Sequence, residues 1–181
     1  MNESPTLTPV VSDRDHSAGN AKAGVVLVEY GDYQCPYCGA AYPVVKSLQK
    51  ALGTKLRFVF RNFPLTQAHP YAMIAAEAAE AAALQNRFWQ MHDFIYEHQD
   101  DLEPDVLPAW ARSVGLDLDQ FGTAIKKGDI TKRIKEDRMS GITSGVNGTP
   151  CFFINSVRHD GSAEYDSLRA AIEEQFNSNV L

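Results

Sequence analysis

Two cysteines bracket Pro36 and Tyr37 in Gln34-Cys35-Pro36-Tyr37-Cys38-Gly39, directly after the apolar run Val25-Val26-Leu27-Val28 and directly before a stretch that reads as a helix. Few folds accommodate that order. The strand must turn into a helix whose first turn carries both sulfurs on one face, where they can close into a disulfide with little backbone movement. Pro36 suits the first helical position, at which a missing N–H costs nothing. Cys35 then becomes the N-cap residue. Its sulfur faces the unpaired N–H groups of Tyr37 and Cys38 and the positive end of the helix dipole, both of which favour the thiolate.

Magnitudes separate a staple from a reagent. A disulfide closing so short a loop stabilises a fold by only about 2 kcal/mol, against roughly 3 kcal/mol for a loop of about 15 residues. The dipole, at up to ~2 kcal/mol, is enough to bring a free thiol pKa of about 8.5 down to about 7, before any hydrogen bond is counted. Reactivity is the better account, so the pair reads as a dithiol redox site. Zinc needs four ligands, and the chain offers one further cysteine, Cys151, and five histidines (His16, His69, His92, His98 and His159) without ligand spacing. No metal and no organic cofactor are expected.

The remaining composition bounds the setting. A chain of 181 residues with 44% hydrophobic content suits one globular domain carrying an insertion. A net charge of −6 without a Lys/Arg cluster argues against nucleic acid and anionic membranes as partners. No apolar stretch reaches transmembrane length, so no membrane insertion is expected. Pro5, Pro9, Asp13, Arg14 and Asp15 occupy the region where a signal peptide would need a continuous apolar segment, and the three cysteines do not make a secreted scaffold. This leans towards a cytoplasmic location, with a periplasmic one as the alternative if a signal peptide was removed.

Residues 1–23 are polar and read as a flexible N-terminal arm. Residues 25–30 predict a strand buried on both faces, 36–52 a helix stopped by Gly53, and 55–60 a second strand, which together form a βαβ unit. Over 66–145 the patterning is helical. Pro70 opens an Ala-rich helix reaching about Asn86, and Leu84, Phe88, Met91 and Ile95 recur at helical spacing, so four or five helices are expected. Phe88, Trp89 and Phe94 read as core packing. Strand patterning returns at Cys151-Phe152-Phe153-Ile154, followed by an Asn155-Ser156 turn, a short strand over 157–159 and a final helix over 164–176. The expected α/β fold thus has one layered domain, 24–65 and 146–181, interrupted by a helical insertion, 66–145.

Cys35-Pro36-Tyr37-Cys38 at a strand-to-helix turn, a helical insertion, and Gly148-Thr149-Pro150 leading into a C-terminal hairpin and helix resemble the DsbA-like thioredoxin-fold thiol-disulfide oxidoreductases. The stretches Phe58-Val59-Phe60-Arg61-Asn62-Phe63-Pro64-Leu65 and Gly148-Thr149-Pro150-Cys151-Phe152-Phe153-Ile154-Asn155 are similar to that family's bacterial branch. The resemblance implies a thioredoxin fold, an exposed nucleophile at Cys35 and a buried resolving thiol at Cys38. It also implies a cis Thr149-Pro150 bond beside the site, with Pro36, Tyr37, Thr149 and Pro150 meeting the protein or peptide substrate. An unidentified redox partner would recycle the dithiol.

Glu29, six residues before Cys35, stands where such folds place a buried acid that moves the proton of the second cysteine, and it shares a strand face with Val25 and Leu27. Partial burial and a raised pKa follow, as a general base for Cys38 requires. Tyr37 stands where the best-known oxidant members carry His, so the direction of exchange is open. Two rivals stand beside this reading: a glutathione-linked enzyme on the same fold, and a thiol sensor or client-binding module without turnover. Cys151, one step past Pro150, is expected to pack inward as a small hydrophobe rather than to react.

Overall fold

The computed structural model describes residues 5–178. The apolar segments assemble one five-stranded sheet with the order β1-β3-β2-β4-β5. These strands are β1 (His16–Gly19), β2 (Val25–Gly31), β3 (Leu56–Asn62), β4 (Cys151–Ile154) and β5 (Val157–Arg158). β2 runs parallel to β3 and antiparallel to β4, so it is paired on both edges. The helix α1 (Pro36–Leu52) makes the crossover between β2 and β3. Five helices lie between β3 and β4: α2 (Ala72–Ala83), α3 (Phe88–Glu97), α4 (Leu107–Ser113), α5 (Leu118–Lys127) and α6 (Asp129–Thr143). The chain closes with α7 (Tyr165–Ser178).

Strand alternation divides the core. Val25, Leu27, Phe58, Phe60, Phe152 and Ile154 point to one face and pack with α1, α3 and α7. Val28, Tyr30, Val59, Phe63 and Phe153 form a second cluster on the other. There α6 comes close because residue 141 is glycine: a Cβ would lie 2.6 Å from the Phe63 ring. Tyr30 Oη and Ser140 Oγ, 2.8 Å apart, tie α6 to β2.

Residues 1–23 require correction, apart from residues 1–4, which lie outside the described residues, as do 179–181 at the far end. The segment is packed onto the sheet rather than held as a flexible arm. β1 pairs antiparallel with β3, Leu7 is buried, and Thr6 bridges Val157. The polar residues that suggest a solvated arm are themselves bonded. Arg61, 3% exposed, donates to Asp15 at 2.8 Å, to the carbonyl of Pro9 at 3.0 Å and to Tyr30 Oη at 2.9 Å. Burial raises the Asp15 carboxyl, but the hydrogen bonds from Arg61 and the Ser12 N–H, with the charges of Arg61 and Arg133, together outweigh it and hold the group below its ordinary pKa. The same contacts explain why β3 continues two residues past Phe60. Arg61 and Asn62 are polar yet buried, and Asn62 donates through its backbone N–H to Asp137 and through its side chain to Glu80.

The helical stripe also departs from expectation. α2 stops at Ala83, Asn86 takes a positive φ of 58°, and Leu84 is 68% exposed, while Phe88, Met91 and Ile95 form the buried face of the separate helix α3. Four residues of turn chemistry thus interrupt one apparent period.

Because Asp15 and Arg61 are each 3% exposed at the side chain, removing one partner strands the other charge. Asp15→Ala is therefore expected to cost about 3–5 kcal/mol in urea unfolding. The pair contributes at neutral pH and is lost as the pH falls through the depressed Asp15 pKa.

Candidate active site

The end of β2 and the start of α1 set the two sulfurs. Cys35 is the N-cap with extended backbone, φ −73° and ψ 120°, and Pro36 follows at the first helical position. The Gly39 N–H donates to the Cys35 carbonyl at 3.0 Å. Gln99 closes this turn from the far side, its Nε2 donating to the carbonyls of Tyr33 at 2.8 Å and Cys35 at 2.9 Å. Residue 39 must be small for this, since a Cβ there would fall 2.1 Å from Gln99 Oε1.

Cys35 is 3% exposed, which corrects the expectation of an exposed nucleophile. The cause is the 148–150 loop folded over the helix N-terminus, where Cys35 Sγ donates to the Thr149 carbonyl at 3.3 Å. Pro36 and Tyr37 are exposed, Tyr37 by 73%, so the surface beside the sulfur is aromatic. The Thr149-Pro150 bond is cis, both residues are half-buried, and Thr149 Oγ1 is buried with no hydrogen-bond partner among the described residues.

The thiols are both free, and their surroundings push them apart. A hydrogen bond from the Cys38 thiol is the largest influence lowering Cys35, against burial; the amides of Cys38 and Tyr37 add to the lowering, to about 5. Cys35 makes no capping hydrogen bond of ordinary geometry, so those amides act through their positive ends rather than as a closed cap. Cys38 is fully buried, and desolvation first, then its bond to Cys35 and the charge of Glu29, hold it well above the usual thiol range.

Glu29 lies one layer beneath. It pairs in register with Phe60 and Phe152, is 3% exposed, and leaves Oε1 without a partner among the described residues. Burial, reinforced by the charge of Cys35, pushes its carboxyl up from 4.5 to about 8. A cavity of about 90 Å³ lined by Glu29, Tyr42, Lys46, His92 and Tyr96 adjoins it. His92 is neutral, burial pushing it down to about 3, with Nδ1 3.0 Å from Tyr33 Oη. Cys151 packs half-buried on the second cluster, and burial raises it to about 11.

Several residues near the sulfurs are not foreshadowed in the sequence. Asp32 donates its N–H to Cys38 Sγ at 3.4 Å, and its carboxylate meets His69 Nδ1 at 2.8 Å. Asp32 and His69 are 37 positions apart, and Gln99 is 64 from Cys35, so no local spacing announces these contacts. Among the described residues no group of three or more His, Cys, Asp or Glu could hold a metal, and no helix is long and apolar enough to cross a membrane.

Comparison with known proteins places the site in a family. The thioredoxin family profile matches residues 12–174. A thioredoxin-like oxidoreductase from Silicibacter pomeroyi superposes with a TM-score of 0.79 at 27% identity, covering 92% of this chain and 94% of that one. Oxidised BdbD from Bacillus subtilis shares the fold, with a TM-score of 0.84 at 23% identity over 97% of this chain and all of that one. Among curated proteins, the chain is 46% identical over 175 residues to Na(+)/H(+) antiporter NhaA 1 of Salinispora arenicola. It is 40% identical over 169 residues to the protein of that name from Mycolicibacterium vanbaalenii. It covers 97% and 92% of itself in those matches but spans only 27% of the length of each relative. The chain belongs to the thioredoxin family, and its fold is that of the DsbA-like thiol-disulfide oxidoreductases.

Proposed function

We propose that the protein exchanges disulfides with protein or peptide substrates through Cys35 and Cys38. The observation that carries this is the opposed tuning of the two sulfurs, Cys35 lowered to about 5 and Cys38 held far above. A thiolate at Cys35 attacks a substrate disulfide, one substrate sulfur leaves, and a mixed disulfide forms. Cys38 then gives its proton to Glu29 and attacks Cys35 Sγ. The Cys35–Cys38 bond forms, the second substrate sulfur leaves as thiolate, and the substrate is reduced by two electrons as the pair is oxidised. With the opposite poise the same steps run backwards. Tyr37 and Pro36 offer apolar contact to an extended peptide, and the half-buried Thr149 and Pro150 offer it backbone. No metal or organic cofactor enters these steps.

The antiporter name of the curated relatives describes proteins of which 73% lies outside the match, and the described residues have no membrane-crossing helix. We assign thiol exchange, not ion transport, to the matched region. Multiple-turnover reduction of insulin separates an enzyme from a stoichiometric sensor, and saturable turnover with glutathione alone would identify the glutathione-linked rival.

Cys38→Ser is expected to accumulate a mixed disulfide with a substrate peptide, visible by mass, whereas Cys35→Ser forms none. Alkylation of Cys35 should follow a pKa near 5, the rate holding level at neutral pH and falling tenfold per pH unit below that value. A free-thiol profile would remove the nucleophile assignment.

Glu29→Gln is expected to slow resolution of the mixed disulfide by roughly hundredfold or more. It should also stabilise the fold. Between pH 4.5 and about 8 the native protein keeps a proton that the unfolded chain has released, so stability falls as pH rises through that window. At roughly 1.4 kcal/mol per pH unit the whole effect is of the order of 5 kcal/mol. Urea midpoints for the Gln variant should therefore exceed wild type by more at pH 8 than at pH 5.

A further inference from the structure

The backbone of Asp32 touches both cysteines, its N–H donating to Cys38 Sγ at 3.4 Å and its carbonyl accepting from the Cys35 N–H at 3.1 Å. Its carboxylate is fully buried and gripped by three groups. Oδ1 accepts from the Gln34 N–H at 2.8 Å, and Oδ2 meets the Leu65 N–H and His69 Nδ1, each at 2.8 Å. The first partner belongs to the same turn. The other two come from the segment joining β3 to α2, and a second tie runs the same way, from the Tyr71 N–H to Gln34 Oε1 at 2.6 Å. His69 has 20% of its side chain exposed, so it grips a buried carboxylate from the rim of the molecule.

We propose that His69 is a positioning residue for the Cys38 step. By holding the Asp32 carboxylate, it holds the Asp32 N–H against Cys38 Sγ, where that dipole meets the charge the sulfur carries while attacking or leaving. The inference rests on Cys38 being the resolving thiol. In resolution, Cys38 loses its proton to Glu29 and its thiolate forms the bond to Cys35 Sγ, while the substrate sulfur departs with the electron pair of the mixed disulfide. Desolvation opposes that thiolate, and the Asp32 N–H lowers its cost. The Asp32 N–H is not among the groups that stabilise the Cys35 thiolate, which are the Cys38 thiol and the amides of Cys38 and Tyr37, so its effect on Cys38 is separable by experiment.

The test compares wild type with His69→Phe, His69→Ala and His69→Asn, each confirmed folded by far-UV circular dichroism. Decay of the mixed disulfide with a substrate peptide is followed by rapid quench and mass, and Cys35 alkylation is followed against pH. Both donor-less variants should resolve about three- to tenfold more slowly, the scale of one hydrogen bond, with the Cys35 alkylation pKa unchanged. His69→Asn, which places an amide N–H near the position of Nδ1–H, should recover most of that rate. Wild-type resolution in the donor-less variants, no recovery in His69→Asn, or an accompanying shift in Cys35 alkylation would overturn the inference. Failure of Cys38→Ser to trap substrate would overturn the resolving role and this inference together. Trapping by Cys38→Ser with undiminished resolution in His69→Phe would overturn this inference alone.

Discussion

Pairing of β2 on both edges is the constraint from which the site is built. With β3 parallel on one side and β4 antiparallel on the other, the register of Val25–Gly31 admits no slip, because a one-residue shift would exchange the two buried faces. Glu29 is thereby set between Phe60 and Phe152, and the chain leaves the sheet at Gly31 with the Asp32 N–H aimed at Cys38. β4 begins at Cys151, directly after the cis Thr149-Pro150 bond, so pairing of Tyr30 with Cys151 brings that loop over the Cys35 sulfur. Strand register thus delivers both sides of the site.

The two faces of the sheet treat buried charge in opposite ways. On the α6 side Arg61 is matched by Asp15 and by carbonyl and hydroxyl oxygens, so its charge persists in the interior. On the α1 side burial raises Glu29 to about 8, and no hydrogen bond or cation among the described residues offsets it. The first arrangement fastens the N-terminal segment to the sheet. The second leaves beneath the sulfurs a carboxyl whose charge burial suppresses up to about pH 8. The tuning of the cysteines follows the same logic. Cys35 gains hydrogen bonds from its neighbours, while Cys38 loses solvent and gains a carboxylate.

Family membership and the relatives' names refer to different lengths of protein. The thioredoxin profile spans nearly all of this chain, residues 12–174, while the antiporter relatives align with the chain over 27% of their length. The redox pair, the cis-proline loop and Glu29 all fall inside the shared region. This is where the chemistry of the present chain is to be sought.

The strand-turn-Cys35-Pro36-Tyr37-Cys38-helix order, the apolar strands and the return of strand patterning at Cys151 were legible without coordinates, because each depends on neighbours within a few residues. Helix capping, strand alternation and Pro36 at the first turn are local effects. Burial of Glu29 and Cys38 was legible from strand alternation and the motif, but burial of polar residues away from the cysteines was not. His16 and Asp15 fall in the stretch read as a solvated arm, yet they fasten β1 and the end of β3, His16 through Glu80, 64 positions away, and Asp15 through Arg61. Leu84 fits a helical stripe on paper and is exposed, because a turn at Asn86 ends the period. The buried rather than exposed Cys35, the grip of Gln99 on its carbonyl, and the Asp32–His69 contact likewise arise from segments far apart in the chain. Local sequence sets which backbone conformations and which reactive groups are available. Desolvation and hydrogen-bond partnership, which settle what a buried polar side chain does, exist only once the sheet and its helices have closed around it.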